Sequence, residues 1–229
     1  MKAFLICSVV LLSSSVGILR ADLVVNGGFE ATQTPGFPIV TPTNAGTLLP
    51  GWTVTDSSAQ TYTNVYLMGD NQQTYYQGDQ SVLLNSDGLG LVSISQDVTV
   101  TANQRVTLTF ALTSENAWTG DQGYSSSYGS GSTVSNPTNP NTSVAVTLGA
   151  QTLYSTPLTR NGWTVETLVF TPATTGSELF TIADNTSSSF PFESPLIDAV
   201  SLTPEPEFYG VLALGLAGLA VVVRRRKRA

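Results

Sequence analysis

The sequence predicts an all-β fold of two packed antiparallel sheets, on three observations. Short runs of alternating apolar and polar residues recur along the chain, punctuated by Gly, Pro, Asn and Asp. No stretch between them carries a convincing amphipathic helical period. Thr, Ser, Gly and Asn dominate, and charged residues make up only 11% of the chain. Some eleven short strands of this kind favour two packed sheets over a single open one.

The elements follow in order. The chain opens MKAFLICSVVLLSSSVGILRA, one lysine ahead of an apolar run from Ala3 to Leu12 with a small residue at Ala21. This is the layout of a secretory signal peptide over residues 1–21. LVVNGGFE (23–30) reads as the first strand. Residues 31–50, with Pro35, Pro38, Pro42 and Pro50, read as a long loop. Strands are then expected at 51–56, 64–69, 80–85, 91–101, 104–115, 142–149, 151–158, 163–172, 178–184 and 194–204. The clearest is QRVTLTFALTSE (104–115): Val106, Leu108, Phe110 and Leu112 fall on one face, and Thr107, Thr109 and Thr113 on the other. Val92, Ile94, Val98 and Val100 do the same in 91–101, where Gln96 interrupts the inward face and needs hydrogen-bond partners there. In 163–172 the alternation slips between Val165 and Leu168, which predicts a bulge. Trp52 and Trp163 begin strands and are expected in the core. Residues 116–141 are low-complexity Gly, Ser and Asn with three aromatics, and read as a long loop.

The ends carry the address. Between Asp22 and Glu207 there are 16 acidic residues and two basic ones, Arg105 and Arg160, a net charge of −14. Five basic residues then arrive together as Arg224, Arg225, Arg226, Lys227 and Arg228, behind sixteen apolar residues from Phe208 to Val223. As a helix that run spans about 24 Å at 1.5 Å per residue. It falls a little short of the roughly 30 Å hydrocarbon core, and snorkelling arginines make up the difference. The cluster is a stop-transfer signal that leaves the acidic domain on the far side of the membrane. Pro204-Glu205-Pro206, one short apolar helix and a terminal arginine cluster together resemble the PEP-CTERM sorting signal over residues 204–229. The resemblance implies a Gram-negative bacterial protein whose tail is recognised by an exosortase, a transpeptidase-like enzyme of exopolysaccharide-producing bacteria. It implies a place in the cell envelope, cell surface or extracellular matrix. Thr203 and Glu207 depart from the residues that usually flank the motif.

Several function classes are excluded or disfavoured. The acidic balance argues against nucleic acid, whose phosphates call for Lys and Arg. The one cysteine, Cys7, lies in the leader, and the chain has no histidine. Thiol chemistry, disulfides in the mature chain and His-based metal sites are therefore excluded. Acids that could serve glycoside hydrolysis are present, such as Asp70, Asp79, Asp87 and Glu115, but no spacing singles out a pair. No catalytic residue is assigned.

The N-G-x-F-E opening of 26–30, the Gly51-Trp52 pair and the I-D-x-V-S-L stretch of 197–202 resemble the galactose-binding-like jelly roll of carbohydrate-binding modules, over residues 22–203. That resemblance implies first and last strands lying side by side, with a structural calcium between them. By motif its side-chain ligands would be Glu30 and Asp198, and main-chain carbonyls would complete the six to eight oxygens that calcium takes. Alternatively, the two acids simply cap strand ends by accepting backbone amides. Sugar recognition needs aromatic platforms beside hydrogen-bonding groups. The candidates are Trp118, Tyr124 and Tyr128 in the long loop, and Tyr75 and Tyr76 in GDNQQTYYQGD. The reading is an exported, non-catalytic glycan-binding protein of an exopolysaccharide or biofilm matrix. The alternatives are a structural matrix protein without a sugar site and, third, a polysaccharide hydrolase.

Overall fold

Among the described residues, hydrophobic alternation becomes eleven strands and one helical turn. A computed structural model describes residues 21–34, 36–56, 64–69, 75–85, 92–114, 142–155, 162–186 and 194–205. In chain order these are β1 (Ile39–Val40), α1 (Ala45–Leu48), β2 (Thr53–Asp56), β3 (Asn64–Met68), β4 (Ser81–Asn85), β5 (Val92–Val100), β6 (Val106–Ser114), β7 (Val144–Leu148), β8 (Gln151–Ser155), β9 (Thr164–Phe170), β10 (Gly176–Asp184) and β11 (Pro195–Pro204). They form a six-stranded sheet, β1-β3-β4-β11-β6-β9, and a five-stranded sheet, β2-β5-β10-β7-β8. Every pairing is antiparallel, and the two sheets pack as a jelly-roll-like sandwich. Among the described residues no helix is long and apolar enough to cross a membrane. Residues 1–20, nearly all of the expected signal peptide, and residues 206–229, most of the expected sorting signal, lie outside the described residues.

The inward faces fill one core. Leu108, Phe110, Leu112, Phe170, Phe180 and Ile182 are all essentially inaccessible. Trp52 sits in the same core, its ring centroid 5.7 Å from Phe29 and 6.1 Å from Phe180. Its indole N–H donates to the Asn26 carbonyl at 3.0 Å, so the polar edge of a large buried ring is satisfied. Gln96 meets its expected need. Its Oε1 accepts from the Val25 amide at 2.9 Å and its Nε2 donates to the Val25 carbonyl at 3.3 Å. The side chain thus gives Val25 the two bonds that a neighbouring strand would have given.

Residues 23–30 do not form the expected strand. They turn, because Asn26 (φ 54°) and Phe29 (φ 60°) adopt left-handed backbone conformations that break the two-residue period. The turn is fastened from several sides. Asn26 Nδ2 donates to the Pro50 carbonyl and its Oδ1 accepts from the Ala31 amide, both at 3.0 Å. The segment still runs beside the last strand: Leu23 N–H donates to Leu202 O at 2.9 Å, and Val200 N–H to Gly27 O at 2.8 Å. Gly27 is obligatory here, since a Cβ would stand 1.8 Å from the Val200 carbonyl oxygen.

Two further expectations shift. The 163–172 strand carries no bulge: β9 pairs with β6 in unbroken register from Thr164↔Leu112 to Phe170↔Val106. The slip in hydrophobicity is Glu166 on the inward side, accommodated by the Ser155 hydroxyl, which donates to it at 2.7 Å. The register shift lies instead in β11, between Asp198 and Ser201, where Ala199 has φ 49°. Within the 31–50 loop the chain also builds β1 and α1.

The sandwich has two unlike ends. At one, short turns connect the strands and tie to each other: Asn103 N–H donates to Pro172 O at 2.8 Å, and Ala102 N–H to Thr175 Oγ1 at 2.8 Å. At the other lie Ser114, Thr142, Ser155 and Glu166, joined across the sheets by short hydroxyl bonds.

Candidate functional site

The two acids singled out by motif converge on one loop. Glu30 ends the Asn-Gly-Gly-Phe-Glu turn, and its Oε1 accepts the amides of Asp79 (2.8 Å) and Gln80 (2.9 Å). Asp198 projects from β11 just before the bulge, and its Oδ2 accepts the amides of Tyr76 and Gln77, both at 2.8 Å. Its Oδ1 takes the amide of Ala199. Residues 75–80 are thus held by their main chain from both sides. Between the two pairs of amides sits Gly78 (φ +73°), where a Cβ would lie 2.3 Å from Glu30 Oε1. Buried Gln80 completes the weld. Its Nε2 donates to the carbonyls of Phe29 (2.9 Å) and Thr32 (2.7 Å), and its Oε1 accepts from the Thr34 amide at 3.1 Å.

Burial pushes the Asp198 carboxyl up from its ordinary 3.8 to about 6. The amides of Gln77, Ala199 and Tyr76 pull the other way, and the nearby Glu30 charge adds to the rise. The donor chemistry fits a hard cation in two respects. Both groups are carboxylates that repel one another, and no donor among the described residues reaches Glu30 Oε2. The remaining oxygens already receive amide protons, and no third acidic side chain joins them among the described residues. A calcium ion would use Glu30 Oε2 directly and would share the Asp198 oxygens with the amides they already accept, with carbonyls supplying the rest. The contact present in the structure itself is an amide clamp.

The clamped loop adjoins the outer face of the six-stranded sheet. Because Val65, Val82, Ile197 and Leu112 point into the core, their sequence neighbours point outward. In register these form one row across five strands: Ile39, Tyr66, Leu83, Leu196 and Thr113. Trp163, directly before β9, extends the row, and the Thr113 hydroxyl donates to the Gly162 carbonyl at 3.0 Å. Leu83, Leu196 and Met68 make a small apolar cluster of their own, with Phe37, Tyr66 and Trp163 partly buried against it. Tyr76 reaches this row from the clamped loop: its ring lies 6.2 Å from that of Trp163, tilted at 59°. Tyr76 is 46% exposed, whereas the Trp163 indole N–H is buried and has no hydrogen-bond partner among the described residues.

Of the aromatic candidates, Tyr75 is half-buried and Tyr76 exposed, both on the clamped loop. Trp118, Tyr124 and Tyr128 lie outside the described residues, as do Pro206 and the basic residues 224–228. Asp79 is exposed, while Asp70, Asp87 and Glu115 lie outside the described residues. Trp163 corrects the sequence reading. It does not enter the main core but joins Tyr76 on the outer face, because its own alternation with Thr164 turns it away from the core. That parity was available once the slip at Glu166 was not taken for a bulge.

Comparison with solved structures gives the fold an independent footing. A Stig cyclase, Fisc, from Fischerella sp. TAU superimposes with a TM-score of 0.52 at 21% identity, covering 81% of this chain and 97% of that one. The arabinose-bound α-L-arabinofuranosidase MgGH51 gives a TM-score of 0.52 at 13% identity, over 83% of this chain but only 27% of that one. The carbohydrate-binding module TmCBM61, solved with β-1,4-galactotriose, gives 0.44 at 12% identity, over 81% and 99%. At such identities the likeness to the first two is one of fold alone. No curated protein matches this chain in sequence. Residues 22–203 match a family described as a protein of unknown function, DUF642, and the chain belongs to that family.

Proposed function

We propose that this is an exported, non-catalytic glycan-binding protein, with its site on the outer face of the six-stranded sheet. The observation that carries the reading is the Tyr76–Trp163 pair. An exposed aromatic ring, on a loop whose main chain is fixed at four amides, stands against a second, partly buried ring on the outer face of the sheet. Sugars offer what such a pair takes: apolar C–H faces that stack on aromatic rings. A rigid platform also loses little entropy on binding. Tyr75 belongs to the same loop. The test is retardation of residues 22–205 in gels containing bacterial exopolysaccharide. Saturable retardation, weakened about tenfold in Trp163→Ala or Tyr76→Ala, is the expected outcome for loss of one aromatic contact. A folded domain that runs unretarded through every polysaccharide tried points to the structural-matrix alternative.

The tail sequence supports the remainder of the reading. Pro204-Glu205-Pro206, the apolar run and the arginine cluster support sorting by an exosortase through a membrane-anchored intermediate, and delivery to an exopolysaccharide or biofilm matrix of a Gram-negative envelope. Calcium at Glu30 and Asp198 is proposed as a stabilising ion that relieves the repulsion between them. It would raise the melting temperature of the domain in a saturable way, an effect absent in Glu30→Gln. A melting curve indifferent to calcium and chelator would leave the amide clamp as the whole role of these acids.

A further inference from the structure

The acidic residue at the centre of the Pro-Glu-Pro motif is built into the folded domain. Pro204 is the last residue of β11 and pairs with Val106. Glu205 follows it and is held at four points. Its amide donates to the Arg105 carbonyl at 2.7 Å, continuing the β11–β6 ladder by one residue. Its carbonyl accepts from Gln104 Nε2 at 3.3 Å. Its Oε1 accepts from the Thr107 hydroxyl at 2.9 Å, and its Oε2 pairs with Arg105 at 3.4 Å. Arg105 is one of only two basic residues between Asp22 and Glu207, and it stands beside the motif's carboxylate. A protease-like enzyme reads an extended strand whose edges and side chains are free to pair with its own groove. In Pro204 and Glu205 the main chain is paired with β6, and the carboxylate already has a hydroxyl donor and a guanidinium.

We propose that the folded domain masks its own sorting motif. The enzyme engages Glu205 only when residues 203–205 peel from β6, so that release of the last strand end sets the rate of processing. The inference rests on the sorting reading above. Its physical content is a local opening whose free energy is set by the few contacts of Glu205 and is smaller than that of the whole fold. A chain that has not yet seated β11, or one whose end has been loosened, is processed ahead of the mature fold.

The experiment uses the full-length chain in its native host, with processing followed by intact mass after a pulse of synthesis. Thr107→Ala removes one hydroxyl donor to the carboxylate and is expected to speed processing about fivefold, the equivalent of one such bond. Thr107→Cys with Thr203→Cys joins two residues that face each other across β6 and β11. The only native cysteine, Cys7, is in the leader, so the new bridge has no competitor in the mature chain. In membrane vesicles the oxidised double variant is expected to remain unprocessed, and reductant is expected to restore processing to at least the wild-type rate. Because both states belong to one protein, misfolding of the variant cannot imitate that toggle. Equal rates in the two states would overturn the masking while leaving the sorting reading intact. A wild-type chain that keeps residues 208–229 would overturn the sorting reading itself, and the masking with it.

Discussion

Gly78→Ala tests the amide clamp most directly, and its cost has two separable parts. The backbone at Gly78 has φ +73°, so any L-residue there pays about 1–2 kcal/mol in conformational strain. The new Cβ would also lie 2.3 Å from Glu30 Oε1, well inside contact distance, so the carboxylate must move. Moving it weakens the bonds it accepts from Asp79 and Gln80. Charge-assisted bonds are worth about 1.5–3 kcal/mol each. These sit at a solvent-exposed loop, so about 2 kcal/mol for the pair together is the appropriate scale. The expected loss is about 3–4 kcal/mol, or roughly 6–15 °C in melting temperature for a domain of this size. Urea unfolding followed by tryptophan fluorescence measures it, with Trp52 reporting from the core. In a Glu30→Ala background the clash is gone and only the backbone part remains. There Gly78→Ala is expected to cost about 1–2 kcal/mol, a coupling of about 2 kcal/mol between the sites. Equal costs in the two backgrounds would refute the claim that Gly78 exists to admit the Glu30 carboxylate.

Two other outcomes follow from the same region. Gly27→Ala places a Cβ 1.8 Å from the Val200 carbonyl and parts the first segment from β11, so a loss above about 3 kcal/mol or failure to accumulate folded protein is expected, read by yield and circular dichroism. Asp198, with its carboxyl raised from 3.8 to about 6, binds its proton more tightly folded than unfolded. Its contribution to stability is therefore complete below pH 3.8 and lost as pH rises through about 6, an effect of about 3 kcal/mol at most. In chelator, wild type should lose that much more stability between pH 4 and pH 7.5 than Asp198→Asn, and parallel pH curves would contradict the assignment. Bound calcium would hold the carboxylate ionised and erase the difference.

The sandwich itself was legible because a two-residue period is a local property. QRVTLTFALTSE could be placed on a sheet from its own residues, and Gln96 announced its need for partners by falling on an apolar face. The failures came where a side chain answers to something distant in sequence. Asn26 and Phe29 read as strand residues because nothing nearby reveals that Pro50, Trp52 and Val200 will hold them in a turn. Glu166 looked like a slip of register because its partner, Ser155, lies on the other sheet. Glu30 and Asp198 were identifiable as a pair only through resemblance, and what joins them is the main chain of residues 76–80, whose amides carry no side-chain signature. Trp163 was misplaced for the same reason as Glu166, since one wrong parity carries through a whole strand.

The placement of β11 has a mechanical meaning. The chain leaves the described domain from a strand in the interior of its sheet. Along its length β11 is hydrogen-bonded to β6 on one side, and on the other to β4 and to the Leu23–Gly27 segment. A tug on the polypeptide beyond Glu205 acts along that strand, parallel to its neighbours. The cross-strand bonds are then loaded together as a sheared joint, whereas an edge strand pulled sideways would lose them one by one like a zip. Forced extraction is governed by the rate of such an opening and not by overall stability. A domain tethered through this strand can resist drag that would strip an otherwise equally stable domain anchored by its rim.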